Sequence, residues 1–307
     1  MRNNRLCLGT TQFGLVYGIN NQRGKPTKRE VFAMLDKAVD LGIEFIDTAV
    51  AYGDAEELLG EYGVKQKQLR VISKLRPNLI SDDCPNPEEI VENEIKGSLK
   101  RLRLDVLEGY LLHTPENFYN EGIMNGLRIC KEKGLIRNLG VSIYEVQHAL
   151  DSVSTGLIDY IQIPYSVFDQ RMDGAGFFEL ARKNDVKVFA RSAFLQGLIF
   201  MEEERIPEYL SVAKGYLQKF DEIIQKHGLT RGQAALLFTY FHPGVDYVVF
   251  GVDDIEQLVE DVAISRSNID FRACREELIG SFANIEKSII FPSLWARKRP
   301  VNEVGSL

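Results

Sequence analysis

Eight short apolar runs divide the chain, and longer amphipathic stretches separate most of them. The runs read LCLG (6–9), GIEFID (42–47), RVISK (70–74), DVLEGYLLH (105–113), IRNLGVS (136–142), DYIQIPYS (159–166), VKVFARS (186–192) and DYVVFG (246–251). Short apolar runs that alternate with helical patterns are typical of parallel β-α-β units. A TIM barrel closes with eight such units. We therefore predict an α/β fold, a single (β/α)8 TIM barrel.

Six of the intervening stretches carry apolar residues at a helical period. They are KREVFAMLDKAVDLG (28–42), NPEEIVENEIKGSLKRLR (86–103), EGIMNGLRICKEKG (121–134), YEVQHALDSV (144–153), FFELARKN (177–184) and RGQAALLFTYF (231–241). Asn86 or Pro87 is expected to begin the second, because acidic residues then occupy its first turn, where the helix dipole favours anions. Gly42 and Gly134 lie where helix C-terminal glycines belong.

A doubly wound open sheet is the main alternative to the barrel. Its usual G-x-G-x-x-G sequence is missing after the first strand, and the nearest match, GAGFFE at 174–179, lacks the third glycine and follows a loop. No Walker-type phosphate loop, Ser/Gly-rich linker, internal repeat or low-complexity tract appears either. We therefore predict one barrel domain over residues 1–307, with a C-terminal tail from about 288 to 307.

Composition limits the partners and the compartment. The formal net charge of −7 argues against non-specific binding to nucleic acid or to an anionic membrane. The densest basic segment, ARKRP at 296–300, is expected to be solvated. The four cysteines are far apart and contain no C-x-x-C pair, which fits a reducing compartment. No long apolar segment or signal-peptide core is present, so we expect a cytoplasmic protein, with no metal site predicted and no prediction of oligomeric state.

Polar side chains occupy the ends of three consecutive predicted strands. Asp47 ends the second strand, Lys74 the third and His113 the fourth, and Tyr52 follows Asp47 by five residues. Each alone has an ordinary explanation: a turn cap, a surface lysine, a loop histidine and a half-buried turn aromatic. In a barrel, however, the carboxyl ends of neighbouring strands meet at one rim, where active sites form. The sequence therefore predicts that these four side chains cluster.

Together the four side chains suit the reduction of a carbonyl group. An unperturbed phenol has a pKa of about 10 and is a weak acid near neutrality. A cation about 4 Å away favours the phenolate by about 4 kcal/mol at an effective dielectric of about 20. Lys74 can therefore make Tyr52 the proton donor, while Asp47 keeps Lys74 charged and oriented. His113, with its other ring nitrogen anchored, would donate a hydrogen bond to the oxygen on which charge develops.

At these residues the sequence resembles a known family. DTAVAYG (47–53), SK (73–74), LLHTP (111–115) and GVS (140–142) look like the motifs of the aldo-keto reductase superfamily, in an order that covers residues from about 6 to about 262. The resemblance implies an (α/β)8 barrel that reduces aldehydes and ketones with NADPH bound across the barrel mouth. It also implies a catalytic tetrad of Asp47, Tyr52, Lys74 and His113, with Tyr52 as the general acid.

The resemblance further implies a set of cofactor-binding residues: Gly9, Thr10, Ser142, Gln162, Arg191, Ser192, Gly251, Gln257 and Asp261. Ser142 and Gln162 would hold the nicotinamide carboxamide, and Gly9 and Thr10 would contact the cofactor through their backbone. Two positions depart from the family. The Asn that commonly follows the serine is Ile143 here, and Arg191 replaces an aromatic ring that stacks on the nicotinamide, a role that a guanidinium can also fill.

The segment after the last strand departs furthest, because it lacks the basic residues that many members use to hold the adenosine 2′-phosphate. Gly251 and Gln257 lie near those positions, with Asp253 and Asp254 between them. Carboxylates there would repel a phosphate and could accept from a ribose hydroxyl instead. The helix N-terminus after Gly251 could still bind phosphate through backbone amides. We expect NADPH as the cofactor, with NADH possible.

Two other functions are compatible with the same barrel: a Schiff-base lyase or aldolase with Lys74 as nucleophile, and a cofactor-binding sensor or accessory subunit. Asp47 argues against the lyase, since a nearby carboxylate keeps an amine protonated. The expected partner is a small carbonyl substrate, and the long polar loop at 14–26 suggests a sugar. Residues suggested for the substrate pocket are Phe13, Tyr17, Val50, Phe168 and Trp295.

Overall fold

The computed structural model describes residues 4–81 and 84–295, and in them eight parallel strands close a barrel. The strands are β1 (Leu6–Gly9), β2 (Phe45–Asp47), β3 (Arg70–Lys74), β4 (Leu107–Leu112), β5 (Ile136–Ser142), β6 (Tyr160–Pro164), β7 (Lys187–Arg191) and β8 (Tyr247–Phe250). Each strand pairs with its neighbour in the chain, and β1 pairs with β8. The predicted TIM barrel is therefore confirmed, and the open sheet is excluded.

The runs that predicted β1, β3 and β5 have the same bounds as these strands, whereas the other five strands are shorter than their runs, which include turn residues at their ends. The register sets the side chains at the carboxyl rim. Gly9 lies beside Asp47, and Lys74 lies beside Leu111. Ser142 lies beside Gln162. The last residues of neighbouring strands thus reach one height, which is what brings residues far apart in sequence to a single site.

Twelve α-helices accompany the strands in the described residues. They are α1 (Thr11–Gly14), α2 (Lys28–Asp40), α3 (Ala55–Tyr62), α4 (Pro87–Leu102), α5 (Glu121–Glu132), α6 (Val146–Ser154), α7 (Phe177–Lys183), α8 (Ala213–Lys226), α9 (Arg231–Tyr240), α10 (Ile255–Ser265), α11 (Arg272–Phe282) and α12 (Lys287–Ile290). All six predicted helical stretches form helices. α1, α3, α8, α11 and α12 were not predicted, although α8 has a clear amphipathic pattern, with Leu217, Phe220, Ile223 and Ile224 buried.

Local sequence explains where α2 begins and where two helices end. The Thr27 hydroxyl accepts from the backbone N–H of Glu30, and the Glu30 carboxylate accepts from that of Thr27, a reciprocal capping box. Gly42 and Gly134 follow α2 and α5 with φ of 70° and 73°, the left-handed conformation that glycine adopts without steric cost. These helix ends lie at the rim where the strands begin, opposite the carboxyl rim that carries the site.

The interior of the barrel is filled by side chains rather than open. One buried cluster lies within it and comprises Cys7, Phe45, Ile72, Leu111, Tyr160, Phe189 and Val249. The Phe45 and Phe189 rings meet edge to face with centroids 5.8 Å apart. Because this layer is packed, a ligand can enter only above it, at the carboxyl ends of the strands.

The segment after β8 packs back on the barrel. Ile289, Ile290 and Trp295 are buried, and the Trp295 indole N–H donates to the carbonyl oxygen of Ile289 at 3.2 Å. The basic segment ARKRP and the rest of the predicted tail beyond residue 295 lie outside the described residues. Within residues 4–81 and 84–295, no helix is long and apolar enough to cross a membrane.

Candidate active site

The four predicted catalytic residues come together at the carboxyl rim. Asp47 and Lys74 are the last residues of β2 and β3, and His113 directly follows β4. Tyr52 lies in the turn between β2 and α3, which Gly53 allows with a φ of 57°. An added Cβ at Gly53 would lie 2.3 Å from the carbonyl oxygen of Gly14, so only glycine fits this turn.

Lys74 and Asp47 form a buried ion pair. The Lys74 ammonium lies 2.8 Å from each carboxylate oxygen of Asp47 and 2.9 Å from the carbonyl oxygen of Thr48. The ammonium also donates to the phenolic oxygen of Tyr52, at 3.3 Å. The Lys74 side chain is fully buried, so its three hydrogen-bond donors are all directed at protein groups.

The charge of Lys74 is secured by its neighbours. Burial by itself would lower the pKa of Lys74, but the Asp47 carboxylate and the Tyr52 oxygen outweigh it, and the pKa is raised. The amine is therefore protonated at neutral pH. A protonated amine beside a phenol stabilises the phenolate and so makes the phenol a better proton donor.

A chain of hydrogen bonds connects Asp47 to the opposite wall of the barrel. The side-chain amide of Gln162, in β6, donates to Asp47 at 2.8 Å, and the Ser142 hydroxyl lies 3.3 Å from the Gln162 amide oxygen. On the other side, the Thr10 hydroxyl and backbone N–H both donate to the carbonyl oxygen of Asp47, at 3.1 and 3.0 Å. Gln162 thus holds the Asp47 carboxylate and Thr10 holds the Asp47 backbone, and together they position the partner of Lys74.

His113 faces Tyr52 as a neutral ring. The two ring centroids are 5.8 Å apart and the planes are nearly perpendicular, at 87°. Burial, followed by the positive charges of Lys74 and Arg191, lowers the pKa of His113 to about 3. The anchor expected for its other nitrogen is wrong: Nδ1 is buried and has no hydrogen-bond partner among the described residues. Packing and not a hydrogen bond therefore orients this ring.

A cavity of about 560 Å³ opens at these residues. Asp47, Tyr52 and His113 line one end, and Asp253, Gln257, Glu260, Asp261 and Ile264 line the other. The walls between them come from the ends of β1, β5, β6, β7 and β8. The cavity thus runs from the tetrad across the barrel mouth to α10.

Eight of the nine residues predicted for the cofactor line this cavity: Gly9, Ser142, Gln162, Arg191, Ser192, Gly251, Gln257 and Asp261. Thr10 does not. Its side chain is fully buried and donates to the backbone carbonyl oxygen of Asp47, so it acts on the site by positioning the backbone of that residue. The sequence could not distinguish these two roles, because both place Thr10 directly after β1.

Arg191 reaches sideways from the end of β7. Its guanidinium donates to the carbonyl oxygen of Ile143 at 3.0 Å and approaches the Ser192 hydroxyl at 3.3 Å. Its carbon lies 4.5 Å from the centroid of the Tyr144 ring. One face of the guanidinium thus covers Tyr144. Tyr144, two residues after Ser142, also lines the cavity, and its nearness in sequence to the GVS motif was the only signal that could have identified it.

The loop at 15–27 forms part of the cavity wall. The backbone N–H of Ile19 donates to the carbonyl oxygen of Gln196 at 2.9 Å, and the Asn21 amide reaches Asp253 at 3.4 Å. Tyr17 and Asn20 line the cavity from this loop. The Asn20 amide oxygen is buried without a hydrogen-bond partner among the described residues. The loop therefore forms hydrogen bonds with both segments, the one that follows β7 and the one that follows β8.

The two acidic residues before α10 have different environments. Asp253 lines the cavity, whereas Asp254 caps α10 by accepting from the backbone N–H of Gln257 at 2.9 Å. Asp254 also pairs with Arg23 at 2.7 Å. The expectation that both carboxylates face a ribose is therefore wrong for Asp254. The Gln257 amide oxygen is also engaged, since it accepts from the backbone N–H of Asp253 at 2.9 Å.

Asp261 is the most perturbed carboxyl group of the cavity. It lies in α10, is buried, and has no hydrogen bond or ion pair among the described residues. Burial, and then the charge of Glu260, raises the pKa of Asp261 to about 8. This carboxyl group is therefore mostly protonated at neutral pH and is a hydrogen-bond donor at the far end of the cavity.

Of the five residues suggested for a substrate pocket, Tyr17 lines the cavity. Phe13 and Phe168 are fully buried in the core, and Trp295 is buried against Ile289. Val50 is only half-buried but does not line the cavity. Sequence proximity to the rim did not separate these positions, because the direction of each side chain depends on loop conformation.

The whole barrel has known relatives. Residues 5–273 match the family model described as "Aldo/keto reductase family". The chain is 25% identical over 282 residues to the "Uncharacterized oxidoreductase YqkF" of Bacillus subtilis (strain 168), which covers 86% of this chain and 90% of that protein. It is 31% identical over 129 residues to the "Methylglyoxal reductase DkgA" of Salmonella typhimurium, which covers 40% of this chain and 44% of that protein.

Solved structures show the same fold. The holo form of the aldo-keto reductase AKR11C1 from Bacillus halodurans superposes with a TM-score of 0.74 at 20% identity, over 92% of this chain and 94% of that one. The family match extends over most of the barrel and includes the strand ends that carry all four clustered residues. The chain therefore belongs to the aldo/keto reductase family of oxidoreductases.

Proposed function

We propose that the protein reduces an aldehyde or ketone to an alcohol with a nicotinamide cofactor. The observation that carries the proposal is the position of the Tyr52 phenol, 3.3 Å from the ammonium of Lys74 at the end of a cavity. Lys74 is in turn paired with Asp47. A phenol that borders a cavity and is backed by a buried cation is suited to donate a proton to a ligand oxygen.

The residues of the site divide the work as follows. A nicotinamide bound in the cavity would supply the hydride for the carbonyl carbon. Tyr52 gives its proton to the carbonyl oxygen, and Lys74 stabilises the phenolate that remains. Asp47 keeps Lys74 charged and stationary through two contacts of 2.8 Å. Solvent then returns a proton to Tyr52.

His113 assists as a neutral hydrogen-bond donor to the same oxygen. Its pKa of about 3 means that the ring carries no charge at any physiological pH. A neutral imidazole keeps one N–H, and Nδ1 has no acceptor among the described residues, so we assign the proton to Nε2. Such a donor stabilises the partial negative charge on the oxygen without competing with Tyr52 as the acid.

The lining of the cavity suits a dinucleotide. It extends from the tetrad to α10, and the unpaired amide oxygen of Asn20 in its wall offers an acceptor to a ligand hydroxyl. An added Cβ at Gly9 would lie 3.3 Å from the carbonyl oxygen of Phe250, so a larger residue there would crowd the wall. Gly9, Ser142, Gln162 and the residues from Arg191 to Ser192 would hold the nicotinamide end. Gly251, Gln257 and Asp261 would hold the adenosine end.

With these residues, fewer polar side chains are available to bind the nicotinamide carboxamide than in many members of the family. Ile143 replaces the commonly occurring Asn and is fully buried, so it offers no polar side chain. Ser142 and Gln162 are joined to each other at 3.3 Å and remain the side-chain candidates for the carboxamide. Gln162 also donates to Asp47, so this assignment connects the cofactor site directly to the ion pair.

We propose that NADPH and NADH are both accepted. Asp253 lines the adenosine end of the cavity and would repel a 2′-phosphate, while the basic residue Arg23 pairs with Asp254 at 2.7 Å. The absence of a lysine or arginine at Gly251 and Gln257 supports a weak preference between the two cofactors.

The substrate that we propose is a small carbonyl compound. Relatives named methylglyoxal reductases cover 40% of this chain. The polar loop residues Tyr17 and Asn20 line the cavity, which supports a hydroxylated compound such as a sugar. The Schiff-base alternative loses support, because the raised pKa of Lys74 keeps its amine protonated and so not nucleophilic.

A turnover screen tests the proposal. The purified protein is mixed with NADPH or NADH and with sugars, 2-oxoaldehydes, aromatic aldehydes and ketones, and oxidation of the cofactor is followed by absorbance. We expect oxidation with at least one class and trapping of no substrate on Lys74 by borohydride. Tight cofactor binding without turnover on any of these classes would favour a sensor or accessory role instead.

A further inference from the structure

Arg191 is a cation at the reactive end of the cavity. It lines the cavity together with Tyr52 and His113. Its hydrogen bonds go to neutral groups only, the carbonyl oxygen of Ile143 at 3.0 Å and the Ser192 hydroxyl at 3.3 Å. The contact with the Tyr144 ring orients the guanidinium but does not cancel its charge.

No carboxylate in the described residues compensates this charge. Arg191 forms no ion pair within residues 4–81 and 84–295, and Asp47, at the same end of the cavity, is already neutralised by Lys74. The other acidic residues that line the cavity are Asp253, Glu260 and Asp261, at the opposite end. The reactive end therefore carries a net positive potential.

The charge of Arg191 acts on the groups around the reacting position. It contributes, after burial and Lys74, to the lowered pKa of His113. Burial raises the pKa of Tyr17, and the charge of Arg191 opposes that rise. Tyr17 lines the cavity from the loop at 15–27. Since Tyr17 and His113 belong to different walls, the potential extends across the space where a carbonyl carbon and a hydride donor have to meet.

A nicotinamide ring changes charge in this space. The ring is neutral in the reduced cofactor and carries one positive charge in the oxidised cofactor. Two unit charges about 6 Å apart at an effective dielectric of about 20–40 change a binding constant about ten- to a hundredfold. The rest of the dinucleotide has the same charge in both forms, so Asp253, Glu260 and Asp261 affect both forms alike.

We propose that Arg191 makes the protein selective for the redox state of its cofactor, binding the reduced form about ten- to a hundredfold more tightly than the oxidised form. This inference rests on the proposed function. It has two consequences. The oxidised cofactor is expelled readily after each turnover, and the reduction potential of the bound couple rises by about 30–60 mV, the equivalent of the same factor for two electrons.

The test compares dissociation constants rather than rates. NADPH, NADP⁺, NADH and NAD⁺ are titrated, by protein fluorescence or calorimetry, into the wild type and into Arg191→Gln, Arg191→Met and Arg191→Lys. The quantity compared is the ratio of the oxidised to the reduced dissociation constant for each cofactor pair. Arg128→Gln, on the outer surface of α5 and paired with Glu132 rather than with the cavity, is the matched control.

We expect the ratio to fall about ten- to a hundredfold in Arg191→Gln and Arg191→Met, and to stay near the wild-type value in Arg191→Lys and Arg128→Gln. Two neutral variants are used so that a folding defect in one of them does not decide the result. An unchanged ratio in a folded neutral variant overturns the inference, even if both dissociation constants increase, because stacking or packing would then be the role of Arg191. Failure of the wild type to bind any of the four cofactors would overturn the proposed function, and this inference with it.

Discussion

The ammonium of Lys74 lies 2.8 Å from both carboxylate oxygens of Asp47, and the pair is buried at the carboxyl rim of the barrel. These two residues end neighbouring strands that pair in parallel, so the backbone itself sets their separation. The arrangement leaves one donor of Lys74 for the Tyr52 phenol. The ion pair is thus both a structural contact between β2 and β3 and the source of the potential that acts on Tyr52.

Removing the Tyr52 hydroxyl should abolish turnover and spare cofactor binding. Tyr52→Phe keeps the ring and its edge-to-face contact with His113 but removes the proton donor. We expect carbonyl reduction to fall about 10²- to 10⁴-fold, with the cofactor dissociation constant within a few-fold of the wild type. Tyr209→Phe, at an exposed phenol outside the cavity, is the control and should keep full activity. Substantial turnover by Tyr52→Phe would show that another group is the acid.

Replacing Lys74 should cost both activity and stability. Lys74→Met removes the cation beside Tyr52 and leaves the Asp47 carboxylate buried without its partner, which costs about 3–5 kcal/mol of unfolding free energy. The double variant Asp47→Asn with Lys74→Met should recover much of that stability but not the activity. Urea unfolding and the pH dependence of the rate are the measurements.

Lys65→Met is the comparison for that experiment, because the Lys65–Asp105 pair is exposed and contributes about 0–1 kcal/mol. A pH–rate profile of Lys74→Met that matches the wild type would contradict the coupling of Lys74 to Tyr52. Equal stability of the single and double variants would contradict the unpaired-charge explanation.

The choice between NADPH and NADH should depend on Gln257. Each charge-assisted hydrogen bond to the 2′-phosphate is worth about 1.5–3 kcal/mol, so Gln257→Arg should shift the preference toward NADPH by about ten- to a hundredfold. Adding Asp253→Ser should extend the shift, because a carboxylate lining the cavity is removed. Fluorescence titration of both cofactors measures the preference.

Val259→Arg adds the same charge to α10 at an exposed position outside the cavity, and should leave the preference nearly unchanged. If the wild type already binds NADPH more than about a hundredfold more tightly than NADH, the phosphate has partners other than these positions. Arg23, which lies 2.7 Å from Asp254, would then be the first residue to replace.

The stability of the protein should depend on the ionisation of Asp261. Its pKa is about 8 in the folded protein and 3.8 in the unfolded chain, so the folded state binds the proton more tightly. The associated stability is fully present below pH 3.8 and is lost progressively as the pH rises toward 8. Asp261→Asn removes this dependence. The free energy of unfolding of the variant should exceed that of the wild type increasingly across that window, by up to about 6 kcal/mol above pH 8.

Urea denaturation at a series of pH values measures the difference, and Glu276→Gln, at an exposed position of α11 outside the cavity, serves as the control. An Asp261→Asn variant that is no more stable than the wild type at pH 9 would show that the carboxyl group gains a partner when it ionises. The cofactor dissociation constant of the same variant reports separately on its proposed role at the adenosine end.

The order of elements and the position of the tetrad could be predicted from the sequence. Apolar runs alternating with helical patterns indicate parallel strands, and in a closed barrel such strands end at one rim. A residue at the end of a strand, such as Asp47, Lys74 or Ser142, therefore has its location fixed by local sequence and by the register of its strand. This is why the cluster could be predicted from single strand ends.

Side-chain direction and long-range partners were decided by the tertiary structure. Thr10 turns inward to Asp47, Asp254 caps α10 instead of facing the cavity, and Nδ1 of His113 has no anchor among the described residues. The bond between Arg23 and Asp254 joins residues 231 positions apart. Such contacts depend on loop conformations that no periodic pattern encodes, since a loop side chain takes whichever partner the packed barrel brings within reach.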